Sequence, residues 1–184
     1  MKKGNTIINA LKKTLALVLV AALAFTLAQP LTAQAKAKKV TLDKQGFTTD
    51  LEKIQSCAKE VKKGNTVIVL KHPQNKTYEG YAKFTAPATK TYTITYSNLK
   101  PERKKGYCNG HITGYFISGQ TITDAKLIKS GYEHSIHLAN EKFMGAVTSK
   151  TVKVKLEKGQ TLYLLHSFLN NKKPKSVTVD LKIK

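Results

Sequence analysis

The spacing of apolar residues changes its period once along this chain. In TDLEKIQSCAKEVKKG, Leu51, Ile54, Ala58 and Val61 recur at helical intervals, Thr49 stands three residues before Glu52 in capping-box order, and Gly64 is placed to end the turn. This predicts one short N-terminal helix near 49–62. Upstream, the basic leader KAKKV runs into a first short strand around Val40 to Leu42. From Thr66 onward the period is that of strands. NTVIVLK is a continuous apolar run suited to a buried strand, and HPQNKT turns the chain. In YEGYAKFTAPATKTYTITY, Tyr81, Lys83 and Thr85 alternate with Ala82, Phe84 and Ala86. Tyr92, Ile94 and Tyr96 alternate with Thr91, Thr93 and Thr95 beyond the PATK turn. Two alternating runs across a short proline-containing connection predict a hairpin with one buried face.

After the polar loop SNLKPERKKGYCNG come HITGYFI, TITDAKLI, HSIHLA, TVKVKLE, QTLYLLH and SVTVDLKI, punctuated by SGQ, SGY, EKGQ and NNKKP. Many short strands with one helix predict an all-β fold, an antiparallel jelly-roll-like β-sandwich. No internal repeat, low-complexity tract or linker divides it, so 36–184 is expected to be a single domain.

The first 35 residues read differently. MKKGNTIINALKK carries four lysines and no acid, LALVLVAALAFTLA is an apolar run of 14 residues, and AQA ends at Ala35. That is the order of a secretory signal peptide with its cleavage site, and the run is too short for a membrane-spanning helix. Without a cysteine after it to take a lipid, the expected product is secreted or held at the cell surface without a lipid. Cleavage after Ala35 leaves 149 residues with a formal charge of +17, because the removed segment holds four of the lysines and no acid.

That charge is almost wholly lysine, Arg103 being the only arginine. Lysine is a mobile, well-hydrated point charge, which suits loose attraction to polyanions better than bidentate recognition. An anionic polysaccharide, a wall polymer or an extracellular protein fits this. Specific nucleic-acid recognition does not, because no motif for it occurs. Scattered lysines also keep a small β domain soluble and guard its edges. Cys57 and Cys108 form an even pair in an exported chain, so a disulfide between them is expected, worth about 4 kcal/mol for a loop of roughly 50 residues.

Here the residues come together as a resemblance. Phe84, Pro87 and Tyr92, followed by Lys158, Gly159, Gln160 and Tyr163 ahead of the closing strand SVTVDLKI, resemble the bacterial pre-peptidase C-terminal domain family. The likeness covers Asn65 to Lys184. It implies a jelly-roll-like sandwich of the kind appended to secreted enzymes or standing on the surface, and its matching residues define fold rather than site. The chain departs from that family in its helical insert around Cys57, in lacking an attached peptidase, and in dispersing its 11 acids, whereas calcium-binding members cluster theirs.

No catalytic signature is present: no HExxH, nucleophile elbow, paired carboxylates or phosphate loop. His134 and His137 in HSIH lie three apart, which on a strand puts them on opposite faces. They, His111 and His166 are therefore expected to be surface or packing residues, with no metal and no cofactor implied. Most of the 8 tyrosines belong to alternating strands and to the core. Tyr107 and Tyr132 sit in loop sequence, and with Arg103, Lys104 and Lys105 they form the candidate binding set. The reading is a secreted non-enzymatic binding module. The alternatives are a metal-assisted or histidine-dependent hydrolase using His134, His137 or His166, and a structural envelope protein.

Overall fold

A computed structural model of the chain describes residues 37–71, 75–127, 135–142 and 145–184. The signal-peptide segment, Tyr132 and His134 lie outside the described residues. Ala37–Lys184 constitutes one compact unit.

Among the described residues the elements follow in the order β1 (Lys38–Thr41), α1 (Leu51–Cys57), β2 (Lys59–Glu60), β3 (Gly64–Lys71), β4 (Thr77–Thr85), β5 (Lys90–Pro101), a 3-10 turn at Glu102–Lys104, β6 (Cys108–Ser118), β7 (Thr121–Asp124), β8 (Ser135–Ala139), β9 (Ser149–Leu156), β10 (Thr161–Asn170) and β11 (Ser176–Ile183). The first sheet has the order β1-β3-β11-β5-β9. The second runs β2-β4-β10-β6-β7, with β8 also paired to β6. Both are mixed: β1 pairs with β3 and β2 with β4 in parallel, and the other ladders are antiparallel.

The core between the sheets follows from strand alternation. Ile68 and Leu70, Tyr92, Ile94 and Tyr96, and Val177, Val179, Leu181 and Ile183 come from the first sheet. Tyr78, Ala82 and Phe84, Ile112, and Leu162, Leu164 and Phe168 come from the second, all in one buried cluster. Where β10 is central, its other parity is buried too. Tyr163 and Leu165 join Tyr81, Ile54 and Ala58 in a separate cluster under α1. The helix thus covers the outer face of the second sheet, which explains why Tyr81 is buried against its expected polar parity.

Three expectations change here. The helix is shorter than predicted. Asp50, not Thr49, caps it by accepting from the Lys53 N–H at 3.1 Å, and Ala58 is already extended. Lys59–Glu60 then pairs with β4, and the Val61 N–H donates to the Lys83 carbonyl at 2.9 Å while its side chain enters the main core. Strand pairing and burial of Val61 outweigh another helical turn. Next, β4 and β5 do not form a hairpin. They lie in different sheets, β4 against β10 and β5 against β11 and β9, so the PATK connection arches from one sheet to the other.

Third, Cys57 and Cys108 are not bridged; both are free thiols. Cys57 ends α1 and packs against the cluster on the outer face, while Cys108 begins β6 and points into the core between the sheets. The second sheet separates them. Burial raises the Cys108 thiol to about 12, and the Asn170 side chain opposes this only in part. Burial and the nearby Asp43 raise Cys57 as well.

A basic cleft at one end of the sandwich

Two connections cross between the sheets at the same end. One leads from β5 to β6 and the other from β10 to β11. Because Pro101 pairs with Val177 and Cys108 with Asn170, the registers set these two arches side by side. The arch through Pro87 and the turn through Gly159 lie at the opposite end, where β5 and β10 begin. There the residues of the family likeness lie close together: the Gly159 N–H donates to the Ala86 carbonyl and the Ala86 N–H to the Gln160 carbonyl, Lys158 N–H donates to Thr89 Oγ1, and the Phe84 and Tyr92 rings meet edge to face at 5.1 Å. Those residues do build the fold and stand far along the strands from the basic loops.

Buried Asn170 fastens the two basic arches together. Its Nδ2 donates to the Lys105 carbonyl at 3.0 Å, and its Oδ1 accepts from the Lys172 N–H at 2.8 Å. Asn140, just after β8, braces the β5–β6 arch from another side, donating to the Gly106 carbonyl at 3.2 Å and accepting from the Cys108 N–H at 3.0 Å. Gly106 has φ of +76°, and a Cβ there would meet Asn171 Oδ1 at 2.4 Å and Lys172 Cγ at 2.6 Å. Only glycine lets the arches approach this closely. The Tyr78 hydroxyl donates to the Pro174 carbonyl from below, and burial pushes this phenol up to about 12.

The arches enclose a shallow cleft of about 130 Å³ lined by Glu102, Arg103, Lys105, Lys172, Lys173, Pro174 and Lys175. Five cationic side chains thus face a single carboxylate. Arg103, Lys105, Lys172, Lys173 and Lys175 are exposed, and among the described residues the ion pair is between Lys59 and Asp43, elsewhere on the surface. Arg103, Lys104 and Lys173 hold φ of 56°, 54° and 45°. Left-handed backbone costs a side-chain-bearing residue about 1–2 kcal/mol. Glycine would relieve that strain, so three cationic side chains stand at positions where the backbone disfavours them.

The expected binding set is divided by this geometry. Arg103 and Lys105 line the basic cleft. Lys104 instead borders a separate depression with Ser97, Asn98, Leu99, Pro101, Asn140 and Ser149. Tyr107 is half-buried, and its hydroxyl accepts from Asn109 Nδ2 at 3.4 Å. Tyr132 lies outside the described residues. Lys172, Lys173 and Lys175 fall in NNKKP and just after it, a stretch that reads as punctuation between strands, and their lysine-rich turn is the signal that marks them.

The histidines go to two places. His166 is wholly enclosed in the core, its Nε2 3.0 Å from the Tyr96 hydroxyl across the sandwich. Burial lowers it to about 4, with the backbone of Gly80 and Leu164 pulling weakly the other way. Its Nδ1 makes no hydrogen bond of good geometry. His111 and His137 are cross-strand partners on the outer face of the second sheet, with their rings stacked 4.5 Å apart. Burial, then the charge of His137, lowers His111. No Ser–His–acid relay forms at Ser167, whose hydroxyl donates to Glu79 at 2.9 Å. Among the described residues no three His, Cys, Asp or Glu side chains group to hold a metal ion, and no helix is long and apolar enough to cross a membrane.

What these elements define is a two-sheet β-sandwich with a clamped basic end. No family model and no curated protein matches the sequence. Among solved structures it is similar to the pre-peptidase C-terminal domain of a collagenase from Bacillus anthracis, with 12% identity over 69% of this chain and 94% of that one, at a TM-score of 0.35. It is also similar to CorA of Methylomicrobium album BG8, a surface-associated copper-binding protein, with 8% identity over 69% of this chain and 98% of that one, at a TM-score of 0.39.

Proposed function

We propose that this protein is a secreted, non-enzymatic binding module that uses the cleft between its two basic arches to hold an anionic extracellular polymer, a wall polymer or an acidic glycan. The observation that carries the reading is the convergence of Arg103, Lys105, Lys172, Lys173 and Lys175 on a cleft with one acid, Glu102. The clamp at Asn170 holds the backbone of both arches, so the charges are presented on a fixed support while their side chains stay mobile. Such a surface attracts extended negative charge without demanding one stereochemistry. Export follows from the amino-terminal pattern of charge, apolar run and AQA, with the working chain beginning near Lys36. Kinship with the pre-peptidase C-terminal family is part of the same reading and rests on Phe84, Pro87, Tyr92, Lys158, Gly159, Gln160 and Tyr163.

The test is retention on purified wall polymer and on a uronic-acid glycan while salt rises from about 50 to about 500 mM, which shortens the Debye length from roughly 14 to 4 Å. The parent is compared with R103A/K105A, with K172A/K173A/K175A and with K104A. Salt-sensitive retention that both cleft variants lose and K104A keeps is the expected result. Equal loss in K104A would shift the site to the neighbouring depression, and no retention at low salt would overturn the reading.

A further inference from the structure

We propose that His111 and His137 form a two-imidazole site for a divalent late-transition-metal ion on the outer face of the second sheet, independent of the basic cleft. The register places these residues directly opposite each other on β6 and β8. Cross-strand neighbours stand about 5 Å apart at Cβ, and here the rings lie nearly parallel, at 16°, with centroids 4.5 Å apart. An ion bound at about 2.1 Å from each imidazole nitrogen spans nitrogens roughly 3 to 4 Å apart. In the stack the in-plane nitrogen lone pairs run side by side, so binding requires both rings to turn about their side-chain torsions until the two nitrogens aim at one ion. His111 is exposed and His137 half-buried, so an ion reaches the pair from solvent.

The surroundings favour coordination over another role. Ser135 Oγ lies 3.5 Å from His111 Nδ1 and engages that nitrogen, which leaves Nε2 as the ligand atom. On the other side, Ser167 continues the row across β10, and its hydroxyl is taken up by Glu79 on β4. Glu79 is two strands away from His111, about 9 to 10 Å at the usual strand spacing, and is not a ligand. With two protein nitrogens the site stays open, its remaining positions filled by water or by a donor from outside. Imidazole pairs of this kind select zinc, nickel and copper over calcium or magnesium, and the Irving–Williams order makes Cu(II) the most sensitive probe.

The experiment titrates untagged protein with CuCl2 and with CaCl2, following heat of binding and the Cu(II) electron paramagnetic resonance spectrum. The parent is set against H111A, H137A and the double variant, each checked for an unchanged circular dichroism spectrum, and against H72A. One Cu(II) per chain with nitrogen hyperfine structure, weakened at least about tenfold by either single change, unaffected by H72A and absent for Ca(II), supports the site. Uptake by the double variant equal to that of the parent overturns it, as does a parent spectrum showing only oxygen ligands.

Discussion

Acidification should loosen this sandwich mainly through His166, with a smaller contribution in the same direction from His111. The neutral His166 ring sits in the core against Tyr96 and Phe168. Its pKa falls from the ordinary 6.5 to about 4 because charging it there means desolvating the charge. The unfolded chain therefore takes up a proton near pH 6.5 and the folded chain only near pH 4. Stability supplied by the neutral ring is complete above pH 6.5 and is lost as pH falls through this window. At about 1.36 kcal/mol per unit, the full span comes to about 3 kcal/mol, of which about 2 is lost between pH 7.5 and pH 5.

Urea unfolding of the mature protein, followed by tyrosine fluorescence near pH 7.5, 6 and 5, reads that loss as a falling midpoint. Replacing the pair together, H166L with Y96F, removes the titrating ring without leaving the Tyr96 hydroxyl orphaned. Its curve should be flatter by about 2 kcal/mol over the same range. Y96F alone, which keeps the histidine, should retain the parent's dependence on pH. Parallel pH curves for the parent and the H166L/Y96F variant would refute the reasoning, because the acid sensitivity would then originate elsewhere.

Two further outcomes follow from the described packing. Asn170→Ala leaves the Lys105 carbonyl and Lys172 N–H without their buried partner; at about 1–3 kcal/mol for each such group, thermal unfolding should fall by roughly 10 °C, and salt-sensitive retention should weaken with all the cations still present. Thiol titration of unfolded, non-reduced protein should give two thiols per chain, with Cys57 reacting in the folded state and Cys108, at 0% exposure, only on unfolding.

Strand alternation names the faces of strands but not their partners, and this accounts for what could and could not be read in advance. The strands from Gly64 to Ile183 are legible because each must bury one parity, and Ile94, Leu162 and Val179 sit where that rule puts them. The PATK connection fits a hairpin and an inter-sheet arch equally well at the level of residues. What decides is that β4 finds β10, whose Leu164 faces Ala82, and such a long-range pairing leaves no local trace. The cysteines failed as a pair for the same reason: an even count carries no information about which side of a sheet each thiol occupies. The basic end was half legible. Arg103 and Lys105 announce themselves as a charged loop, but Lys172, Lys173 and Lys175 join them only because Asn170 pairs with Cys108 and Val177 with Pro101, so that two separate connections cross the sandwich together. The trace that does exist is Asn170 itself, an amide at the end of a strand whose other inward positions are Leu162, Leu164, His166 and Phe168. A buried amide there must satisfy its hydrogen bonds from neighbouring backbone, and the backbone within reach of a strand's last residue is that of the loops beside it. Read that way, Asn170 marks the clamp, and the lysines flanking it mark what the clamp presents.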